Sequence, residues 1–114
     1  MLKRRAKRRY LAILYGVGFQ HRNSSSSRDE LSILHSIKKR NSELFGHITT
    51  ELSSVRLIRS QQKNMIIISC CLKYIDNILS TIALIDPPLV TIFISGTLKS
   101  LRRHLRTIPH DTYL

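Results

Sequence analysis

Short apolar runs along the chain, rich in β-branched and aromatic residues, predict strands at 10–15, 65–70 and 89–95. A weaker alternation of apolar and polar positions predicts a further strand at 52–60. The run at 65–70 contains almost no polar residue, which indicates a strand whose two faces are both covered. The polar segment at 61–64 reads as the turn between these two strands.

Helical spacing appears in the segments between the strands. Ser27 and Glu30 form a capping box, in which the serine and the glutamate satisfy each other's backbone N–H groups. The helix that follows is expected to end at Gly46. Its expected buried residues are Ile33, Leu34, Ile37 and Leu44. A second helix is marked by apolar residues at 72, 75, 78, 79, 82 and 85, and the two prolines at 87–88 end it.

The element order is therefore β-α-β-β-α-β, followed by a C-terminal helix. This order predicts an α+β protein with a ferredoxin-like αβ fold. A chain of 114 residues fits one domain, which we place at 10–108, between a basic N-terminal arm at 1–9 and a short tail at 109–114. The serine-rich segment at 21–27 is a connection inside that domain.

The chain is strongly basic: it has 19 Lys and Arg residues but only 7 Asp and Glu residues, which gives a net charge of +12. Such an excess implies a polyanionic partner, either nucleic acid or an anionic membrane surface. No membrane-spanning segment and no secretory signal is predicted. Six of the seven residues at 3–9 are basic, and four more cations lie on the C-terminal helix.

The C-terminal helix carries two stripes. Its apolar stripe consists of Leu98, Leu101, Leu105 and Ile108. Its basic stripe consists of Lys99, Arg102, Arg103 and Arg106. No acidic residue interrupts the basic stripe, so its mutual repulsion favours an external anion over a merely solvated face. The Gly96–Thr97 turn that opens this helix suits a phosphate group, although Thr97 could simply cap the helix.

Catalytic chemistry finds little support in the sequence. The cysteines at 70 and 71 are adjacent, so they point to opposite sides of a strand and are expected to be unbridged core residues. They lack histidines at zinc-binding spacing. The few acidic residues form no carboxylate cluster of the kind that a metal-dependent nuclease needs. The strand at 65–70 has no aromatic residue, so bases cannot stack there as they do on RNA-recognition domains.

Five short motifs, taken in order and spacing, resemble a known family. They are RYL at 9–11, ELFG at 43–46, IIISC at 66–70, IALI at 82–85 and SGTLK at 95–99. Together they are similar to the small protein subunit of ribonuclease P and ribonuclease MRP of the Pop-five/Rpp-fourteen type, known in archaea as ribonuclease P protein component 2. The resemblance covers residues 8–106, and it implies an RNA-recognition-like αβ sandwich, in agreement with the predicted order of the elements. The chain departs from the family pattern in lacking a glycine at 47–54 and an acidic C-terminal tail.

The resemblance implies a non-catalytic RNA-binding subunit that scaffolds the catalytic RNA for 5′-end maturation of precursor tRNA, and in MRP for processing of precursor rRNA. It implies ribonuclease P RNA, and MRP RNA, as direct partners and precursor tRNA as an indirect one. A larger subunit with a TIM-barrel-like fold is the implied protein partner, and no membrane is involved. No cofactor is expected on the protein, since the magnesium ions would lie on the RNA. The implied location is the nucleus, within the nucleolus.

The predicted RNA-binding residues are Lys3, Arg4, Arg5, Lys7, Arg8, Arg9, Gly96, Thr97, Lys99, Arg102, Arg103 and Arg106. The basic arm could instead be a nuclear-import signal or a solvated tail. Arg56 and Arg59 either line the same surface or serve as charges that protect a sheet edge.

Three alternative functions stay open. The first is a ribosomal or other general RNA-binding protein with a ferredoxin-like core. The second is a module whose basic face docks an acidic protein. The third, an acylphosphatase-like hydrolase, would need a phosphate loop that the segment at 16–22 only faintly resembles.

Overall fold

The computed structural model describes residues 7–15, 26–58, 64–85 and 89–107. The strands in these ranges are β1 (Arg8–Leu14), β2 (Arg56–Ile58), β3 (Met65–Cys71) and β4 (Val90–Ser95). The α-helices are α1 (Ser26–Phe45), α2 (His47–Ser53), α3 (Ile75–Leu84) and α4 (Leu98–Arg106). A single 3₁₀ turn, Leu72–Tyr74, leads from β3 into α3.

The four strands form one antiparallel sheet in the order β2-β3-β1-β4. The N-terminal strand is thus central, and its Leu11 lies between Ile68 of β3 and Ile94 of β4. Each helical crossover connects strands that are not neighbours, as in the ferredoxin-like fold. The predicted α+β class is therefore confirmed.

The sheet face covered by α1 and α3, here called the α1–α3 face, holds the larger part of the core. Alternate residues of β1 and β3 point to it, because side chains alternate along a strand. Each fully buried aliphatic side chain stabilises the fold by about 1.5–3 kcal/mol, so this layer dominates stability. Its central fully or nearly fully buried members are Leu11, Ile13, Ile33, Ile37, Ile66, Ile68, Ile78 and Ile82.

The opposite face, here called the α4 face, is covered by the C-terminal helix. Ala12, Met65 and Ile67 pack beneath Leu101 and Leu105 of α4, and all five side chains are buried. Every residue of 65–70 is consequently buried, which confirms that both faces of β3 are covered. The predicted strand and helix at 89–107 are likewise present, whereas Ile108 lies outside the described residues.

A bulge in β4 interrupts its pairing with β1. Phe93 pairs with Ala12, but Ile13 pairs with Thr91, so Ile92 is the extra residue. Both Ile92 and Phe93 therefore pack on the α4 face, which a regular strand would not allow. The Phe93 ring reaches α4, where its centroid lies 5.4 Å from that of His104.

The segment after Gly46 is where the sequence prediction was wrong. Gly46 adopts φ +95° and ends α1, but the chain immediately re-enters a helix, α2. The strand predicted at 52–60 is accordingly reduced to Arg56–Ile58, because Leu52 belongs to α2. Leu44, predicted to be buried, is 37% exposed, since α2 packs beside the end of α1 without covering it.

A buried polar network joins three helices. The side chain of Asn41, on α1, is fully buried. Its Nδ2 donates a hydrogen bond to Thr50 Oγ1 of α2 at 2.9 Å. Its Oδ1 accepts a hydrogen bond from Thr81 Oγ1 of α3 at 2.8 Å. Thr50 also donates to the carbonyl of Gly46 at 2.9 Å. Buried polar groups that are satisfied in this way fix one arrangement of the helices, because any slippage would leave them unpaired.

Cys70 and Cys71 are both free thiols, as expected for adjacent residues of a strand. Cys70 is buried in the α1–α3 core, and its burial raises the pKa of its thiol from 9.0 to about 11, although Arg8 opposes the shift. At neutral pH the Cys70 thiol therefore stays protonated and unreactive. Cys71 is half-buried at the end of β3.

Candidate RNA-binding surface

The basic stripe of α4 is exposed because the opposite side of the helix is anchored in the core. Leu101 and Leu105 fix the rotation of the helix over the sheet. Four cations, three and four positions apart, then share the outer side of the helix. These exposed residues are Lys99, Arg102, Arg103 and Arg106, as predicted. Within the described part of the chain no ion pair engages any of them.

The turn before α4 is ordered by capping. Thr97 Oγ1 accepts a hydrogen bond from the N–H of Ser100 at 3.1 Å, and the Thr97 N–H donates to Ser95 Oγ at 3.3 Å. The capping alternative for Thr97 is therefore present in the structure. Gly96 is exposed, and a Cβ atom placed there would lie 3.5 Å from the Arg9 guanidinium. A phosphate contact at Gly96 or Thr97 stays a prediction.

Replacing Thr97 by alanine removes this cap. We expect Thr97→Ala to lower the free energy of unfolding by about 1 kcal/mol, the usual value of an N-cap hydroxyl. Thr97→Ser keeps the acceptor and should be close to neutral. Urea denaturation followed by circular dichroism measures both variants, and equal stabilities would contradict the capping role.

Arg8 and Arg9 lie in β1, so the predicted arm at 1–9 extends two residues into the sheet. The Arg8 guanidinium donates to the carbonyl of Ser54 at 2.6 Å and to Ser69 Oγ at 2.8 Å. It ties β1 to β3 and to the left-handed C-cap of α2. The structure thus gives Arg8 a structural role that the sequence reasoning missed, because no sequence signal separates it from its basic neighbours.

This role predicts that lysine cannot replace Arg8. A guanidinium presents several donors in a planar fork, whereas an ammonium group cannot reach both partners in the same geometry. We expect Arg8→Lys to destabilise the chain by about 1–2 kcal/mol in urea denaturation. The exposed Lys7 provides the matched control, since Lys7→Arg should change stability by less than about 0.5 kcal/mol.

The other predicted cations of the N-terminal arm differ in their exposure. Arg9 is half-buried, and its Nη1 donates to the carbonyl of Arg8 at 3.0 Å. The side chain of Lys7 is exposed, while its carbonyl accepts from the N–H of Leu72 at 2.7 Å. Lys3, Arg4 and Arg5 lie outside the described residues, as does Arg59.

Arg56 also lies on the α4 face, although its strand, β2, is at the edge of the sheet farthest from β4. It is exposed on β2 and pairs with Ser69, while Ser69 pairs in turn with Tyr10 of β1. Tyr10 packs with the α4 cluster, which places this row of residues on the α4 face. The exposed cations of α4 and Arg56 thus lie on the same side of the molecule, here called the basic surface.

The basic surface favours contacts with phosphates over contacts with bases. The central strands beneath it are covered by α4, so no flat aromatic platform is open for stacking. Among the described residues no group of His, Cys, Asp and Glu side chains could hold a metal ion. None of the described helices combines the length and apolar character needed to cross a membrane.

The comparisons with known proteins bear on the fold. No family model matches the sequence, and no curated protein matches it. A solved structure does match: a chain in the cryo-EM structure of yeast ribonuclease MRP superposes with a TM-score of 0.58 at 12% sequence identity. The alignment covers 92% of this chain and 93% of that one. The two chains therefore share one fold over nearly their whole length.

Proposed function

We propose that this chain is a non-catalytic, RNA-binding subunit of an RNA-processing ribonucleoprotein of the ribonuclease P and MRP kind. The observation that carries the proposal is the likeness in fold, over 92% of the chain, to a chain of yeast ribonuclease MRP. The family resemblance of the five sequence motifs points independently to the same class of particle.

Electrostatics supports an RNA partner. The net charge of +12 and the exposed cations of α4 would neutralise phosphates and release their counterions, which is a large source of affinity for nucleic acids. A surface of this kind reads the shape and backbone of RNA more than its sequence. In this role the protein would let negatively charged RNA segments approach each other, while the RNA and its magnesium ions would perform the chemistry.

We assign the chain to ribonuclease P, and to ribonuclease MRP as well, where it would contact the RNA of the particle and a larger subunit with a TIM-barrel-like fold. Maturation of precursor tRNA would be the reaction served, with precursor rRNA processing as the second. The nucleolus is the corresponding location.

Crosslinking the protein to RNA in its native cells, followed by sequencing of the recovered RNA, tests this proposal. Enrichment of one or two structured RNAs of the ribonuclease P or MRP kind is the expected result, and their identity decides which particle is served. Recovery of ribosomal RNA would instead support a general RNA-binding protein. Recovery of no RNA would favour the docking of an acidic protein on the basic surface.

A further inference from the structure

The two edges of the sheet are built differently. β2, at one edge, has only three residues and begins with the exposed Arg56; both features discourage pairing with another strand. β4, at the other edge, has six residues with the sequence VTIFIS and no charge or proline. Among the described residues no strand pairs with the outer side of β4, which leaves about half of its backbone N–H and C=O groups pointing outward.

Two apolar side chains of β4 are also exposed to solvent. Val90 is 53% exposed and Ile94 is 47% exposed, whereas no residue of the central strands β1 and β3 is exposed. A long apolar edge of this kind is a template for a further strand, because another extended backbone can pair with its outward N–H and C=O groups and cover its apolar side chains at the same time. The uncharged sequence of the edge sets no electrostatic barrier of its own.

The bulge determines which strand fits. Val90 and Ser95 pair with Leu14 and Tyr10, on the α4 face. Thr91 and Ile94 pair with Ile13 and Leu11, on the α1–α3 face. Because of the bulge, Ile92 and Phe93 both lie on the α4 face. The order of the faces along β4 is therefore the same from Val90 to Ser95 as from Ser95 to Val90. A regular strand of six residues cannot have this symmetry, because its side chains alternate strictly between the two faces.

We infer that β4 pairs with β4 of a second copy of this chain, antiparallel about a two-fold axis between Ile92 and Phe93. In this register Val90 lies opposite Ser95 of the other copy, and Thr91 lies opposite its Ile94. Every pair then joins two residues of the same face, as a continuous antiparallel sheet requires. A register shifted by one residue would place most side chains across from residues of the opposite face, for example Val90 across from Ile94 and Thr91 across from Phe93. The dimer would contain one eight-stranded sheet.

Pairing of this kind brings the two α4 helices to the same face of the joined sheet. Their exposed cations repel each other, and each chain carries a net charge of +12. Association should therefore strengthen with salt, because the Debye length falls from about 10 Å at 0.1 M to about 3 Å at 1 M ionic strength. A contact through a basic and an acidic surface would show the opposite dependence on salt.

Analytical ultracentrifugation of the full chain without RNA tests the inference. We expect a monomer–dimer equilibrium whose dissociation constant falls by about tenfold or more between 0.1 M and 1 M salt. Hydrogen exchange should slow at the outward-pointing amides of 90–95 as the dimer forms, because the inward ones already pair with β1. A chain that stays monomeric at all concentrations and both ionic strengths would overturn the inference and leave the edge to a strand of another protein.

Two variants place a charge on the edge, as many natural edge strands do. Ile94→Lys and, independently, Val90→Lys should abolish the dimer while leaving the circular dichroism spectrum of the monomer unchanged. Ile48→Lys is the matched control, because Ile48 is 77% exposed on α2 and should not affect pairing. Loss of the dimer in Ile48→Lys with retention in Ile94→Lys would overturn the inference in favour of an α2 interface. None of these outcomes depends on RNA, so the proposed function is tested separately.

Discussion

The double variant Arg102→Glu with Arg103→Glu should bind a hairpin RNA about 10- to 100-fold more weakly than the unaltered chain at low salt. Both side chains are exposed on the outer side of α4 and unpaired within the described part of the chain, so they are free to meet phosphates. Their reversal removes two cations and adds two repulsive charges. Fluorescence anisotropy over a salt series measures the effect, and the slope of log Kd against log salt should fall by about two.

Lys38→Glu with Lys39→Glu is the matched control. This pair is also adjacent and exposed, and it changes the net charge by the same amount, but it lies on α1, the helix layer opposite α4. If both double variants lose affinity equally, binding depends on net charge alone and the basic surface has no special role. Circular dichroism must show that α4 stays folded, because a glutamate near its C-terminus opposes the helix dipole.

Asn41→Ala should lower the free energy of unfolding by about 2–4 kcal/mol. The substitution removes two buried hydrogen bonds, and it leaves a cavity where α1, α2 and α3 meet. Such a loss is a large fraction of the stability of a small domain. Urea denaturation of the full chain measures it.

Ser36→Ala on the same helix serves as the control, since its hydroxyl donates only to the exposed carbonyl of Ser32 and its loss should cost less than about 0.5 kcal/mol. A double-mutant cycle with Thr81→Val then isolates the bond between α1 and α3, for which we expect a coupling of about 1 kcal/mol. Additive effects would show that the bond to Thr81 contributes nothing, and that the loss in Asn41→Ala comes from the bond to Thr50 and from packing.

The order of the elements could be predicted because the larger of them bury regular apolar patterns. β3 is apolar on both faces, and the apolar side of α4 recurs at helical spacing, so each specifies its own structure. α2 gives no such signal. Its large apolar residues, Ile48 and Leu52, are exposed, and its buried residues are the polar Thr50 and Ser53. Burial that depends on a hydrogen-bond network cannot be inferred from hydrophobic periodicity.

Part of the candidate site could be predicted from the sequence, and part could not. The cations of α4 follow from its two stripes, because an anchored apolar side fixes which residues face outward. Arg8 was placed with them only because it is basic. Its true surroundings depend on Ser54 and Ser69, which are distant in sequence and come together only in the folded sheet. The bulge at Ile92 likewise arises from the fit of β4 against β1 and has no local signature.

The central position of β1 has a consequence for synthesis of the chain. Leu11 emerges from the ribosome well before its neighbours in the sheet, Ile68 and Ile94. Until then β1 has two open edges and an apolar second half, which the strands that flank it in the native sheet cannot yet cover. Because long-range pairings of this kind also slow folding, the growing chain should rely on chaperones that hold extended apolar segments, and mostly in the interval before β3 is translated.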